Sequence, residues 1–242
     1  MTLSSPLKTI LEPLRGGLVV SCQAPADSPL HHPQMIAAMA QAALLRGAVG
    51  VRIDSPGHIE AVRACCDSKS LTLGGPRPII GLWKQVMPPS SVYITPQFCH
   101  AEAVAQAGGD IIAVDATQRQ RPGDETLAEL IQRIHDRLGK PVMADVDTLD
   151  NALRAVDAGA DCVGTTLFGY TEETHNQSPP EFTLLKAMID RCGVPVICEG
   201  GIASPGQARQ ALDLGAFAVV VGTAITGVDS LVQGYVDAIA PL

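Results

Sequence analysis

The chain reads as an alternation. Short apolar, β-branched runs recur eight times: Leu18–Cys22, Val49–Ile53, Ile79–Trp83, Ile111–Val114, Val142–Ala144, Cys162–Leu167, Val194–Cys198 and Ala218–Val221. Each is followed by a stretch in which apolar residues return with helical period: Gln34–Arg46, His58–Asp67, His100–Ala107, Glu125–Leu138, Leu149–Ala158, Phe182–Arg191, Pro205–Leu214 and Asp229–Ile239. Continuous apolar strands separated by amphipathic helices suit a parallel sheet buried on both faces. Eight units of about 30 residues use up the chain, so the pattern predicts one α/β domain over residues 1–242, a closed (β/α)8 barrel. An open, doubly wound sheet is the runner-up. Residues 1–16 precede the first unit and are expected to form an N-terminal helix closing the barrel bottom.

Punctuation supports these boundaries. Gly47-Ala48, Gly108-Gly109, Gly159-Ala160 and Gly215-Ala216 end four of the helices, where glycine supplies a left-handed C-cap. Asp124, Thr148 and Ser204 mark helix starts, the last with Pro205 behind it. Ala24–Pro33, Ser68–Pro78 and Thr171–Pro180 read as loops. Loops that follow strands build the mouth of a barrel, whereas those before strands serve stability. The first and third are therefore candidate walls of a site.

Composition narrows the function. Apolar residues make up 46% but aromatics only 3%, so the core must consist of small aliphatic side chains. With 17 basic and 25 acidic residues the formal charge is −8, which argues against nucleic acid or an anionic membrane as partner. No run approaches the roughly 20 apolar residues of a membrane span. Residues 1–16 lack the apolar centre of a secretory signal. The seven cysteines show no CxxC pair, and Cys22, Cys162 and Cys198 fall inside apolar runs. They read as reduced, buried thiols of a cytoplasmic protein. His31, His32, His100, His135 and His175 have no ligand spacing, and no HExxH or Cys/His cluster occurs. No glycine-rich dinucleotide fingerprint follows the first run. Neither a metal nor a nucleotide cofactor is expected.

The chemistry should lie where polar residues end the apolar runs. These are Ser21 and Gln23, Arg52 and Asp54, Lys84, Asp115, Asp145, Thr165 and Thr166, Glu199, and Gly222-Thr223. Charges at buried strand ends are costly unless paired or solvated, so their convergence on one rim points to a site. Lys84 and Glu199 fall across the barrel from one another. A lysine there can move a proton, form a Schiff base or hold a phosphate. Opposed to a carboxylate, it forms a pair able to share the roles of proton acceptor and donor. Gly200-Gly201 and Gly222-Thr223 follow the last two runs, where backbone N–H groups in such barrels hold phosphate. Phe168 and Tyr170, in the loop after the sixth run, could stack on a sugar, although solitary loop aromatics more often serve packing. From residues alone a phosphosugar epimerase, a related isomerase or Schiff-base aldolase, and a non-catalytic sugar-phosphate binder all remain open. So does the same chemistry on an unphosphorylated sugar.

Several segments together resemble the N-acetylmannosamine-6-phosphate 2-epimerase family of amino-sugar and sialic-acid catabolism. They include Leu18–Gln23, Val51–Ile53, Pro78–Lys84, Tyr93–Pro96 and Ile111–Thr117 with Arg119, Arg121 and Pro122. Met143–Asp145, Gly164–Leu167 with Gly169–Thr171, Val196–Gly200 and Val220–Thr226 complete the set in order. The resemblance implies a TIM barrel of the ribulose-phosphate-binding type. It also implies inversion at C2 of N-acetylmannosamine 6-phosphate without cofactor. By the same resemblance Lys84 exchanges the C2 proton and Glu199 assists as acid/base. Gln23, Arg52, Asp145 and Thr166 would contact substrate, with phosphate on Gly200, Gly201, Gly222 and Thr223. Gly201 and Gly227 stand where many members carry larger or basic residues, and Trp83 where an aliphatic one is common. The apolar last helix and Ala-rich exterior suit a homodimer.

Overall fold

The computed structural model describes residues 9–66 and 77–240. Eight parallel strands close on themselves in chain order: β1 (Leu18–Cys22), β2 (Gly50–Asp54), β3 (Ile79–Leu82), β4 (Ile111–Asp115), β5 (Val142–Asp145), β6 (Cys162–Gly164), β7 (Val196–Glu199) and β8 (Ala218–Val221). The ring closes where Leu18 and Val19 of β1 pair with Val219 and Val220 of β8. This excludes the open sheet. Around it lie α1 (Pro33–Leu45), α2 (Pro56–Cys66), α3 (Phe98–Gln106), α4 (Leu127–Arg133), α5 (Leu149–Asp157), α6 (Phe182–Arg191), α7 (Pro205–Asp213) and α8 (Val228–Ile239).

Strand side chains alternate between two cores. Val19, Ile80, Leu82, Ile111, Ala113, Met143, Ile197 and Val220 fill the inside of the ring, with Leu11 and Leu14 buried against them. Val20, Val51, Ile53, Ile112, Val114 and Val163 face outward and meet helix residues such as Ile36, Ile59, Val104 and Leu185. Small aliphatics let helices lie close to the ring.

The glycine caps form as their spacing predicts: Gly47, Gly108, Gly159 and Gly215 have φ of 96, 103, 103 and 105°. Thr148 and Ser204 cap α5 and α7 by accepting the N–H of Asn151 and Gln207. Asp124 does not cap α4. It lies in a 3-10 turn, and Thr126 takes the role through a capping box with Glu129. The α4 segment itself ends in a π-turn, Ile134–Leu138, stopped by Gly139 at φ 60°. The β6 run expected to reach Leu167 stops at Gly164, because Leu167 turns its N–H to Val146. Residues 1–8 of the expected N-terminal helix, Asp67, and most of the Ser68–Pro78 loop lie outside the described residues.

Candidate active site

At the C-terminal end of the ring the polar strand ends meet around a cavity of about 590 Å³. Ser21, Gln23, Arg52, Lys84, Thr166, Glu199, Gly200, Gly201, Gly222 and Thr223 all line it. So does Tyr170, from the loop after β6, whereas Phe168 is buried. Of the other rim residues, Asp145 lies beneath the cavity floor, Asp54 and Thr165 support Lys84 and Glu199 from behind, and Asp115 stands apart, bound to Thr117 and Arg119.

The floor is an ionic network. Arg52 points into the ring and is 2% exposed. Its guanidinium donates to both carboxylate oxygens of Asp145, at 3.1 and 2.6 Å, and its Nη1 lies 3.2 Å from Glu199 Oε2. A two-pronged arginine–carboxylate pair offsets much of the cost of burying these charges. Thr166 Oγ1 approaches Asp145 at 2.7 Å and Glu199 at 3.2 Å, so one hydroxyl bridges the two acids. Behind it Thr165 fixes the Glu199 backbone, donating to its carbonyl at 2.8 Å and accepting its N–H at 3.0 Å.

One guanidinium between two carboxylates leaves the cluster one negative charge in excess. Burial disfavours a charged Glu199 and Asp145 repels it; Arg52 offsets only part of this, and the carboxyl is pushed up to about 7. Burial also works against the charge of Arg52, but its two carboxylates outweigh that and hold it above its ordinary range. Thus Arg52 stays a cation while Glu199 can gain or lose a proton near neutrality.

Lys84 stands two residues past the end of β3, across the ring from Glu199 on β7. Its ammonium donates to Gln23 Oε1, and Gln23 in turn donates to Ser21 Oγ at 3.0 Å. Its backbone N–H goes to Asp54 Oδ1 at 2.9 Å. These contacts aim a flexible, exposed side chain across the mouth.

At the β7 and β8 side the wall is glycine-rich. Gly222 precedes a one-turn helix, Thr223–Thr226. Gly201 has φ +66°, and a Cβ there would lie 2.2 Å from the Pro179 carbonyl oxygen. A Cβ on Gly227 would come within 2.8 Å of the Thr223 backbone. Gly201 and Gly227 are therefore close backbone crossings with no room for a side chain. Among the described residues lining the cavity, Lys84 and Arg52 are the cations.

Two features escaped the sequence reading. Asp115, expected on the rim, is fully buried and tied to Thr117 and Arg119. Burial pushes its carboxyl up, against the pull of Arg119. Tyr93 lines the cavity although it was assigned no role. Only the excess of prolines and serines between Lys84 and Thr95 hinted that the chain makes a compact excursion and returns.

Comparison with known proteins converges on one group. A family model described as "Putative N-acetylmannosamine-6-phosphate epimerase" matches residues 36–241. A protein of Thermosynechococcus vestitus named as such a 2-epimerase is 62% identical over 226 residues, 93% of this chain and 94% of its own. One from Synechococcus elongatus, of the same name, is 58% identical over 95% of this chain and 96% of its own. Among solved structures, the N-acetylmannosamine-6-phosphate 2-epimerase from Clostridium perfringens superposes with a TM-score of 0.87 at 36% identity. The match covers 95% of this chain and 96% of that one.

Proposed function

The chain belongs to the N-acetylmannosamine-6-phosphate epimerase family, and from that premise we propose that it is an isomerase that inverts C2 of N-acetylmannosamine 6-phosphate to give N-acetylglucosamine 6-phosphate. Lys84 and Glu199 move the protons. The observation that carries this reading is their placement: an ammonium just past β3 and a carboxyl group at the end of β7, on opposite sides of the ring, face one sugar-sized cavity.

Opening the sugar ring leaves an aldehyde at C1, which acidifies the hydrogen on C2. Lys84 exchanges that proton, and Glu199 supplies or accepts the one on the other face. One C–H bond breaks and one forms, so the pair must enter each turnover holding one transferable proton between them. Glu199 is suited to this because its carboxyl titrates near 7. Gln23 holds Lys84, while Arg52 and Thr166 hold Glu199, with Asp145 anchoring both from below. The phosphate rests on the N–H groups of Gly200, Gly201, Gly222 and Thr223. Steric closure at Gly201 and Gly227 leaves backbone amides to do this in place of side-chain cations.

The enzyme acts as a cytoplasmic homodimer on this reading. Helix α8 turns Val232, Tyr235, Val236 and Ile239 to solvent, each at least half exposed, an apolar face that a second copy would cover. Cys22, Cys99, Cys162, Cys192 and Cys198 are free thiols. Among the described residues no helix is long and apolar enough to cross a membrane.

Turnover in deuterium oxide, followed by NMR, tests the assignment. The wild type should place one solvent deuterium at C2 of the product, and far more slowly with the unphosphorylated sugar. Lys84→Ala should lose this exchange by about a thousandfold. Epimerisation that retains the original hydrogen, or wild-type exchange in Lys84→Ala, would overturn it.

A further inference from the structure

Tyr93 is placed by a short antiparallel return inside the connection from β3 to α3. Lys84 and Ile94 form a β-bridge, Gln85 N–H donates to the Tyr93 carbonyl at 2.9 Å, and Thr95 N–H to the Trp83 carbonyl at 2.9 Å. The tyrosine is thereby locked beside the lysine. Its ring packs on the inner core and lines the cavity with Lys84, Arg52 and Glu199. The return arm is tied down at its far side. Arg119, fixed by Asp115 and Thr117, donates to the Ser91 carbonyl at 2.9 Å, and Ser90 Oγ donates to the Gln120 carbonyl at 2.7 Å.

The hydroxyl of Tyr93 has no hydrogen-bond partner among the described residues. The buried polar side-chain atoms left unpaired there are Arg77 Nε, Arg121 Nη2 and Asn151 Oδ1. The Tyr93 oxygen is not one of them, so it is open to solvent on a residue that lines the cavity. Of its neighbours, Arg52 is engaged by Asp145 and Glu199 and Thr166 by the same two acids, while Lys84, held by Gln23, is the group that handles the C2 proton. A free donor, rigidly mounted, is left over at the end of the cavity away from the glycine turns.

Removing the C2 proton shifts negative charge onto the C1 oxygen, and apart from Lys84, which handles the C2 proton itself, the network described so far assigns that oxygen no donor. With the 6-phosphate on the β7 and β8 glycines, C1 is the end of the substrate that extends toward β3. We propose that Tyr93 is a further catalytic residue, whose phenol donates a hydrogen bond to the C1 oxygen as the enolate forms. This rests on the epimerase reading above. The proton stays on the phenol throughout. Burial holds the phenol above its ordinary range, which keeps it a donor at working pH. A pre-aimed donor to a developing oxyanion commonly accelerates reaction by about 100-fold or more.

Tyr93→Phe removes one oxygen and keeps the packing of the ring. We expect kcat and the C2 deuterium exchange rate to fall together by about 30- to 100-fold, with KM within about twofold and the thermal midpoint unchanged. A loss confined to KM or to the midpoint would reveal a packing role and overturn the proposal. Difluorotyrosine incorporated at position 93 supplies a second readout. It acidifies the phenol and should introduce an alkaline fall in kcat that the wild type lacks; an unaltered profile counts against the assignment. If Tyr93→Phe matches the wild type while Lys84→Ala is inactive, Tyr93 is not catalytic and the epimerase reading stands. If the wild type itself exchanges no deuterium, both fall.

Discussion

The two ends of the barrel carry the same kinds of residue and use them differently. At the N-terminal end Asp110 and Asp161 follow the glycine caps of α3 and α5. Asp110 accepts the N–H of Ile79, the first residue of β3, at 2.9 Å, together with the Arg63 guanidinium. Asp161 repeats the device on β5, accepting the Val142 N–H at 2.7 Å and His135 Nε2 at 2.8 Å. Each carboxylate there is consumed in pinning one strand to its neighbour. At the C-terminal end Asp145 is consumed likewise, but Glu199, Lys84 and Tyr93 keep hydrogen-bonding capacity directed at empty space. The contrast teaches that charge or burial alone does not mark the reactive end. What marks it is polar capacity left unspent on a rigid mount.

The largest effect that would break this comparison is on catalysis at Glu199. Glu199→Gln keeps the shape and an acceptor for Arg52 but cannot carry the proton, so kcat should fall about 100- to 1000-fold. The pH profile sharpens the point. Below about pH 7 Glu199 is protonated and cannot accept, so kcat/KM should decline as pH falls through 7. Both reaction directions need the same total of protons on the pair, so both profiles should share that limb. Glu199→Gln should lack it in its residual activity. Near-wild-type turnover in this variant, or an undiminished limb, would remove Glu199 from the proton path.

At the other end the expected effect is on stability instead. Asp161→Ala leaves the buried Val142 N–H and the His135 ring without their acceptor, at about 1–3 kcal/mol. For a chain of this length that is a fall in the thermal midpoint of about 2–4 °C per kcal/mol. Turnover measured well below the midpoint should equal that of the wild type. A loss of kcat with an unchanged midpoint would mean that the division between the ends is false.

Much of this division was legible in the sequence, because it is written in periodic or local signals. Eight apolar runs separated by helical stretches admit few architectures, and each Gly-Ala or Gly-Gly ending fixed a helix end through its own backbone demand. The polar residue that ends a strand in a barrel must emerge at the rim, which is why Gln23, Arg52, Lys84 and Glu199 could be named together. Where long-range pairing decides, the signal fades. Asp115 and Asp145 have the same sequence context and pair with one another in register, yet Asp145 supports the cavity floor and Asp115 anchors a loop. Asp145 was claimed by Arg52 from β2, far away in the chain, whereas Asp115 was claimed by Arg119 only four residues on. Tyr93 was invisible for a related reason: a single β-bridge within a connection carries no period. The early end of β6 likewise depends on Leu167 finding the Val146 carbonyl across the chain.

The smallest expected effect links the two ends, since an unfinished site should cost the fold something. Glu199 titrates near 7 in the folded chain and near 4.5 when unfolded. Its raised value means that folding favours the neutral acid. This contribution to stability is fully present below 4.5 and is lost as the pH rises through 7. Glutamine never ionises, so Glu199→Gln should be more stable than the wild type at pH 8, by about 1–2 kcal/mol or roughly 3–6 °C. The difference should shrink through neutrality and disappear below pH 4.5. Asp161→Ala should show no such gain at any pH, because its carboxylate is matched by donors. Were Glu199→Gln less stable at pH 8, the buried charge would be fully compensated by Arg52, and the glutamate would be as finished a part of the scaffold as Asp161.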